Sequence, residues 1–240
     1  MRTIRLAAPL LLLCCAAANA APGELVMLAP QNHTMPVARF EGGELSGGIL
    51  KDLGELLAAK LGLHARFIAV PSRRVAMMLT QGEADGVCLV QPHWIDGDFH
   101  WSAALIPTGG VVLARADAPV IASLEALRGK KVGTVGGYRY RPLEALLGTQ
   151  FLRDDAPSAQ HNLSKLLAGR TQYALTELSI AQWHVRNDAS HSLRLDLTYE
   201  NDMARCAFSM KSAIPYALIK RATDSIVAER GVEKIVARYR

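Results

Sequence analysis

Two periodicities of apolar residues organise the first third of the chain. Leu25 to Ala29 is an unbroken apolar run stopped by Pro30, which predicts a buried first strand. Gln31 to Ser46 is polar and glycine-containing and reads as a loop. Leu50, Leu53, Leu57 and Leu61 then recur at helical spacing, and Gly62 closes the helix. Ala65 to Val70 predicts a second strand. Pro71-Ser72 starts a second helix, with Ser72 as N-cap and Val75, Met78 and Leu79 facing inward. Gly86 to Val90 is a third strand, too apolar to alternate faces, as expected of a parallel strand covered on both sides. Short connections between these elements imply a parallel sheet.

One passage of this pattern occurs twice. Leu79-Thr80-Gln81-Gly82-Glu83-Ala84-Asp85 leads into the strand at Gly86, and Leu166-Leu167-Ala168-Gly169-Arg170-Thr171-Gln172 leads into Tyr173-Ala174-Leu175-Thr176-Glu177. Each is a helix end, a glycine stop that can turn left-handed, a tight turn and a short buried strand. Two copies on either side of the midpoint predict two similar α/β lobes. The second lobe contains a short helix at Ser123–Gly129, a strand at Lys130–Val135, and a helix opened by Gly136-Gly137 that runs to Leu147. A strand near Phe151 and a helix from Ser158 to Ala168 follow. Trp101 to Ala114 is extended but broken by Pro107 and Gly109-Gly110, a natural crossing between lobes. Strands at Leu193–Leu197 and Arg205–Met210 precede a helix from Pro215 with Leu218, Ala222 and Ile226 on one face, stopped by Gly231, and a short helix reaches Arg240. Ligands of open α/β sheets sit beyond the carboxyl ends of the strands, so function is expected just after Val90 and around Glu177.

The first twenty residues stand outside this pattern. Arg2 and Arg5 precede an apolar run from Leu6 to Ala18, and Ala18-Asn19-Ala20 offers small residues for cleavage, so a secretory signal peptide over residues 1–20 is expected. The run is shorter than the ~20 residues that span a bilayer. Removing two arginines from 27 basic residues against 22 acidic ones lowers the net charge from +5 to +3. That charge, evenly spread, argues against nucleic acid as a partner. Cys88 and Cys206 remain after processing, and in an exported protein they are either a disulfide or two buried thiols. The histidines show no metal-ligand spacing, so neither a metal nor a cofactor is expected.

Several motifs in order carry a family resemblance: Gly48-Ile49-Leu50-Lys51-Asp52-Leu53, Leu79 to Asp85, Ser123-Leu124 with Leu127 to Gly133, Asn162-Leu163 with Leu166 and Gly169-Arg170, and finally Phe208-Ser209, Gly231 and Tyr239. Together they resemble the type II periplasmic solute-binding proteins of ABC importers, of the amino-acid-binding family 3 kind, over essentially the whole mature chain. The resemblance implies an α/β fold of two Rossmann-like lobes with a ligand cleft between them and two hinge crossings, near 108–110 and 197–202. It implies a discontinuous lobe 1 (21–108 plus 203–240), a lobe 2 (109–202), and strands that bring Cys88 and Cys206 close together. It further implies a monomeric periplasmic protein serving an ABC permease in the inner membrane. Two alternatives share the fold: a dehydratase-like enzyme and a ligand-sensing input to a separate membrane receptor.

The departures from that pattern locate the chemistry. Amino-acid binders end the third strand in a segment whose arginine clamps the ligand's α-carboxylate. Here the run is Gln91-Pro92-His93-Trp94, with tryptophan at the arginine's place. Glu177 stands where those proteins hold the ligand's ammonium; it is otherwise a solvated or helix-capping residue. Gly137, Tyr138 and Arg139 belong to a strand-to-helix turn that is either an anion site or a plain glycine turn. Arg73 and Arg74 follow the second strand and are either a replacement cation or solvated charges on a helix start. Trp94 at the cleft edge is the candidate for stacking on a ligand, whereas Trp101 and Trp183 read as core. The expected ligand therefore presents a cationic or hydrogen-donating group to Glu177 and a flat or apolar part to Trp94.

Overall fold

In the computed structural model, which describes residues 23–239, the apolar runs become strands that assemble into two five- and six-stranded sheets. The leader expected over residues 1–20 lies outside the described residues. The chain begins with β1 (Glu24–Pro30), a hairpin of β2 (Arg39–Glu41) and β3 (Glu44–Gly47), α1 (Ile49–Leu61), β4 (His64–Val70), α2 (Val75–Gln81) and β5 (Gly86–Val90). After β6 (Phe99–Trp101) and β7 (Ile106–Thr108) it crosses to the second sheet. There it forms β8 (Gly110–Arg115), β9 (Lys131–Val135), α3 (Arg141–Leu147), β10 (Leu152–Ala156), α4 (Ala159–Leu167), β11 (Tyr173–Glu177), α5 (Leu178–Asn187) and β12 (Leu193–Thr198). It returns as β13 (Asp202–Ser209) and ends in α6 (Tyr216–Ala228) and α7 (Gly231–Ala237). No helix among the described residues is long and apolar enough to cross a membrane.

The two sheets share one plan. The first has the order β4-β1-β5-β13-β6, with β7 on β13, and the second β10-β9-β11-β8-β12. In each, three parallel strands lie beside one antiparallel strand, β13 in the first and β8 in the second, which has just arrived from the other sheet. Both sheets are covered on two faces. In the first, Leu25 and Met27 of β1 pack with α1, α6 and α7, while Leu28 packs with Val75, Met78 and Leu79 of α2. In the second, Val112 and Leu175 face α3, and Leu113 and Ala174 face α4 and α5. Double coverage is why β5 lacks polar alternation, all five of its residues being buried.

Alternation in β5 breaks at one residue. Cys88 pairs with Cys206 and Val90 with Arg205, so Leu89 is the extra residue of a β-bulge and takes φ 61°. The bulge turns Leu89 into the wall of the cleft described below. Cys88 and Cys206, directly opposed on β5 and β13, form a disulfide that ties the returning strand to the first sheet.

The two crossings touch one another at Gly109-Gly110. Tyr199 N donates to Gly110 O at 2.9 Å, and a Cβ on Gly109 would lie 2.0 Å from the Glu200 carbonyl oxygen. A Cβ on Gly110 would meet the Tyr199 ring at 2.3 Å. Glycine is required here because two backbones and a ring occupy the space a side chain would need.

Several local expectations are corrected. The segment read as a loop from Gln31 to Ser46 holds the β2–β3 hairpin, turned by Gly42 and Gly43 at φ 60° and 89°. Ser72 does not cap α2: Ser72–Arg74 is a 3-10 turn without a side-chain cap, and α2 starts at Val75. Gly136-Gly137 forms a turn, and α3 begins only at Arg141. On α6 the inward face is Ile219, Ala222, Thr223 and Ile226, with Leu218 exposed at 40%. Arg230, at φ 56°, makes the break between α6 and α7, and Gly231 opens α7 rather than ending α6.

The disulfide closes a loop of 118 residues. Cys88→Ala with Cys206→Ala, or reduction of the native protein, is expected to lower unfolding free energy by about 2–5 kcal/mol. Urea unfolding with and without reductant measures this, and coincident midpoints would contradict a structural role.

Candidate functional site

The parallel strands of both sheets point their carboxyl ends at a common cleft. Beyond β1 lie Asn32 and His33, beyond β4 Arg73, and beyond β5 Trp94; from the second sheet come Tyr138 after β9 and Glu177 at the end of β11. The cleft holds a cavity of about 350 Å³, partly open to solvent, at the small end of the roughly 300–1,000 Å³ usual for ligand sites. Its remaining wall is largely apolar, including Leu89, Val135, Ala159, Leu175 and Ile180.

Glu177 is the charged group at its centre. It occupies the N-cap position of α5, yet its side chain makes no capping hydrogen bond, which disposes of the helix-capping alternative. The side chain is only 14% exposed, so the solvated alternative falls too. Among the described residues the one basic side chain within 4 Å of it is His33, with Nδ1 3.5 Å from Oε1. That is close enough for charge attraction, but Nδ1 makes no hydrogen bond. Burial raises the Glu177 carboxyl above its ordinary range, with His33 pulling it back down.

Aromatic rings surround this carboxylate. Tyr138, Tyr140 and Tyr199 line the cavity with Trp94. Asn32 Nδ2 donates to the Tyr138 hydroxyl at 2.7 Å, and Val135 N donates to the Tyr140 hydroxyl at 2.9 Å. Burial, with the Glu177 charge adding to it, pushes the Tyr138 phenol well above its ordinary range, and burial does the same to Tyr140 and Tyr199. All three rings are neutral at any physiological pH.

The lobes meet through polar contacts around the cavity. Ala159 N donates to Asn32 O at 2.8 Å, and Thr34 Oγ1 donates to Gln160 Oε1 at 2.5 Å. Arg139 forks onto Asp96 at 3.2 and 2.6 Å. This pair holds the Asp96 carboxyl below its usual range. The pair is exposed, so it registers the lobes more than it stabilises them.

The candidate residues separate on this geometry. Trp94, Glu177, Arg73, Gly137, Tyr138 and Arg139 all lie on the wall. Gln91 and Arg74 do not. Gln91 is 1% exposed, and its Nε2 is buried without a partner. Arg74 lies on the 3-10 turn and is exposed. Arg139 is not a free cation, since Asp96 holds it. At the turn after Gly137, the Tyr140 amide donates to Glu144 Oε1 at 3.2 Å and the Tyr138 amide to Val135 O at 3.2 Å, which leaves fewer amides for an anion. Trp101 and Trp183 are off the wall. Among the described residues no cluster of His, Cys, Asp and Glu is placed to hold a metal.

Asn32, His33, Asp96 and Tyr199 also line the cavity and carried no motif in the sequence, and Tyr140 joins them from the turn that holds Gly137, Tyr138 and Arg139. The one available signal was position: Asn32-His33 directly follows the first strand, where the strand-end rule already pointed.

No family model matches the chain, and no curated protein matches it. Solved structures do. An ancestral arginine-binding protein bound to arginine superposes with a TM-score of 0.78 at 18% identity, covering 92% of this chain and 99% of that one. The amino acid ABC transporter substrate-binding protein AbpA from Streptococcus pneumoniae, bound to L-arginine, gives 0.74 at 18% identity over 90% and 94% of the two chains. The ancestral amino acid-binding protein AncCDT-1, a precursor of cyclohexadienyl dehydratase, gives 0.76 at 15% identity over 90% and 95%. The chain has the type II periplasmic binding protein fold, the Venus flytrap architecture of family 3 amino-acid-binding proteins.

Because its pKa is raised on folding, Glu177 supports stability fully below the unfolded-state pKa, and that support is lost as pH rises through the folded-state value. Above the folded-state value the empty protein therefore carries an unfavourable buried charge. Glu177→Gln is expected to raise the Tm of the empty protein at pH 7, by about 2–4 °C for each kcal/mol relieved. The gap should narrow as pH falls into the carboxylate range. Thermal unfolding across pH measures it; equal Tm values at pH 7 would contradict the assignment.

Proposed function

We propose that this protein is a non-catalytic, extracytoplasmic solute-binding protein that closes around a small polar solute and delivers it to an ABC permease in the inner membrane. One observation carries this reading: a largely buried carboxylate with no hydrogen-bond donor among the described residues faces a cavity between two lobes whose covalent links are two paired crossings. Such a group is unfavourable in an empty protein and favourable once a ligand supplies the missing donor. In this reading residues 1–20 direct export to the periplasm, lobe 1 comprises 21–108 with 203–240, and lobe 2 comprises 109–202. The hinges are the crossings at Gly109 and at 199–201, and the protein acts as a monomer. Arginine binding belongs to the structural neighbours; the lack of a guanidinium committed to a ligand carboxylate separates this cavity from a plain amino-acid site.

A second reading is an enzyme on the same fold. It is favoured by Glu177 and His33 lying 3.5 Å apart on one cavity wall, two groups that general acid–base chemistry can use, and by the likeness to a dehydratase precursor.

Native mass spectrometry of freshly purified protein is expected to show a retained small molecule that leaves unchanged on unfolding. Small-angle scattering should show compaction when that molecule is returned to the emptied protein. A released molecule chemically altered by incubation with the protein would support the enzyme. No compaction at saturation would contradict hinge closure.

A further inference from the structure

Resting on the binding-protein reading, we infer that the ligand is a small primary ammonium compound with an apolar or aromatic body and no carboxylate beside the amine. Glu177 is the most buried carboxylate on the cavity wall; Glu200 also lies on it, more exposed and 3.6 Å from His93. Glu177 receives no hydrogen bond from the described residues, so both its oxygens are left for N–H groups of the ligand. An ammonium with three N–H groups satisfies them, whereas a quaternary ammonium offers none. Trp94, Tyr138 and Tyr199 line the same cavity with aromatic rings, a composition that favours a cation, whereas the Tyr140 ring already carries Arg153 at 5.0 Å.

Most of the charged groups and helix-terminal amides able to hold an adjacent carboxylate are already engaged or placed elsewhere. The Arg139 guanidinium is forked onto Asp96. The first amide of α4 donates to the Asn32 carbonyl, and the Tyr140 amide donates to Glu144. His33 faces Glu177. Gln91 is buried off the wall. Arg73 remains, but it is exposed at the rim of the cavity, where solvent screens its charge. An α-carboxylate next to an ammonium bound at Glu177 would thus be buried without a counter-charge, which is costly. The apolar wall of Leu89, Val135, Leu175 and Ile180 instead accepts a hydrocarbon or aryl group.

The test is isothermal titration of the emptied full-length mature protein with 2-phenylethylamine, n-hexylamine, L-phenylalanine and choline. The proposal expects at least one of the two amines to bind at least tenfold more tightly than L-phenylalanine and choline. Glu177→Gln should weaken that amine at least tenfold, while the charge-preserving Glu177→Asp should keep the order of preference. Circular dichroism of both variants secures the comparison. L-phenylalanine binding as well as or better than the amines would overturn the ligand class, as would amine binding indifferent to Glu177→Gln. Failure of both amines, with a different solute retained in native mass spectra, would overturn the ligand class and leave the binding-protein reading standing. Failure of both with no solute retained would overturn both.

Discussion

A carboxylate removed from water and given no donor is among the more expensive things a protein can build into its interior. Glu177, 14% exposed and without a hydrogen-bond donor among the described residues, goes most of the way to such a group, and the arrangement of the cleft follows from it. The second sheet brings it to the end of β11, the first sheet closes over it through Asn32 and His33, and neutral aromatic rings line the space in front of it. A buried arginine in contact would have satisfied the charge and left the cavity nothing to recognise. His33 approaches without hydrogen bonding, so it tempers the charge and leaves the oxygens available.

The scaffold keeps that group both buried and reachable. Each sheet receives its antiparallel strand directly from the other, so the only covalent links between lobes are two adjacent crossings. Gly109 and Gly110 let those crossings pack in contact at one edge of the cleft, where the proposed hinge lies. The Cys88–Cys206 disulfide lies inside the first sheet, not across the hinge. It fastens the returning strand without restricting the motion of one lobe against the other.

Much of this was legible in the chain. The two helix–glycine–strand passages located β5 and β11, and strand-end logic led from them to Trp94 and Glu177. Helical spacing identified α1 through Leu50, Leu53 and Leu57, all buried. What stayed hidden depended on contacts distant in sequence. His33 sits 144 residues before Glu177, inside a stretch that reads as plain loop, and Asp96 neutralises Arg139 from the opposite lobe. Nothing in the Gly136–Arg141 motif reveals that Glu144 already occupies the free amide at its end. The bulge at Leu89 is equally silent, because it arises from register against β13 and not from a glycine. On α6, Leu218 and Ile219 are neighbours of equal hydrophobicity, and only the packing against α1 decides which turns inward.

The central claim is that the Glu177 carboxylate is destabilised in the empty cleft and satisfied by a cationic ligand. Carbon-13 NMR titration of the Glu177 side-chain carboxyl, in the empty protein and with an ammonium ligand bound, tests this most directly. The account predicts a pKa above the ordinary glutamate range when empty and a marked fall on binding. An ordinary pKa in the empty protein, or one that does not move when the ligand binds, would contradict it.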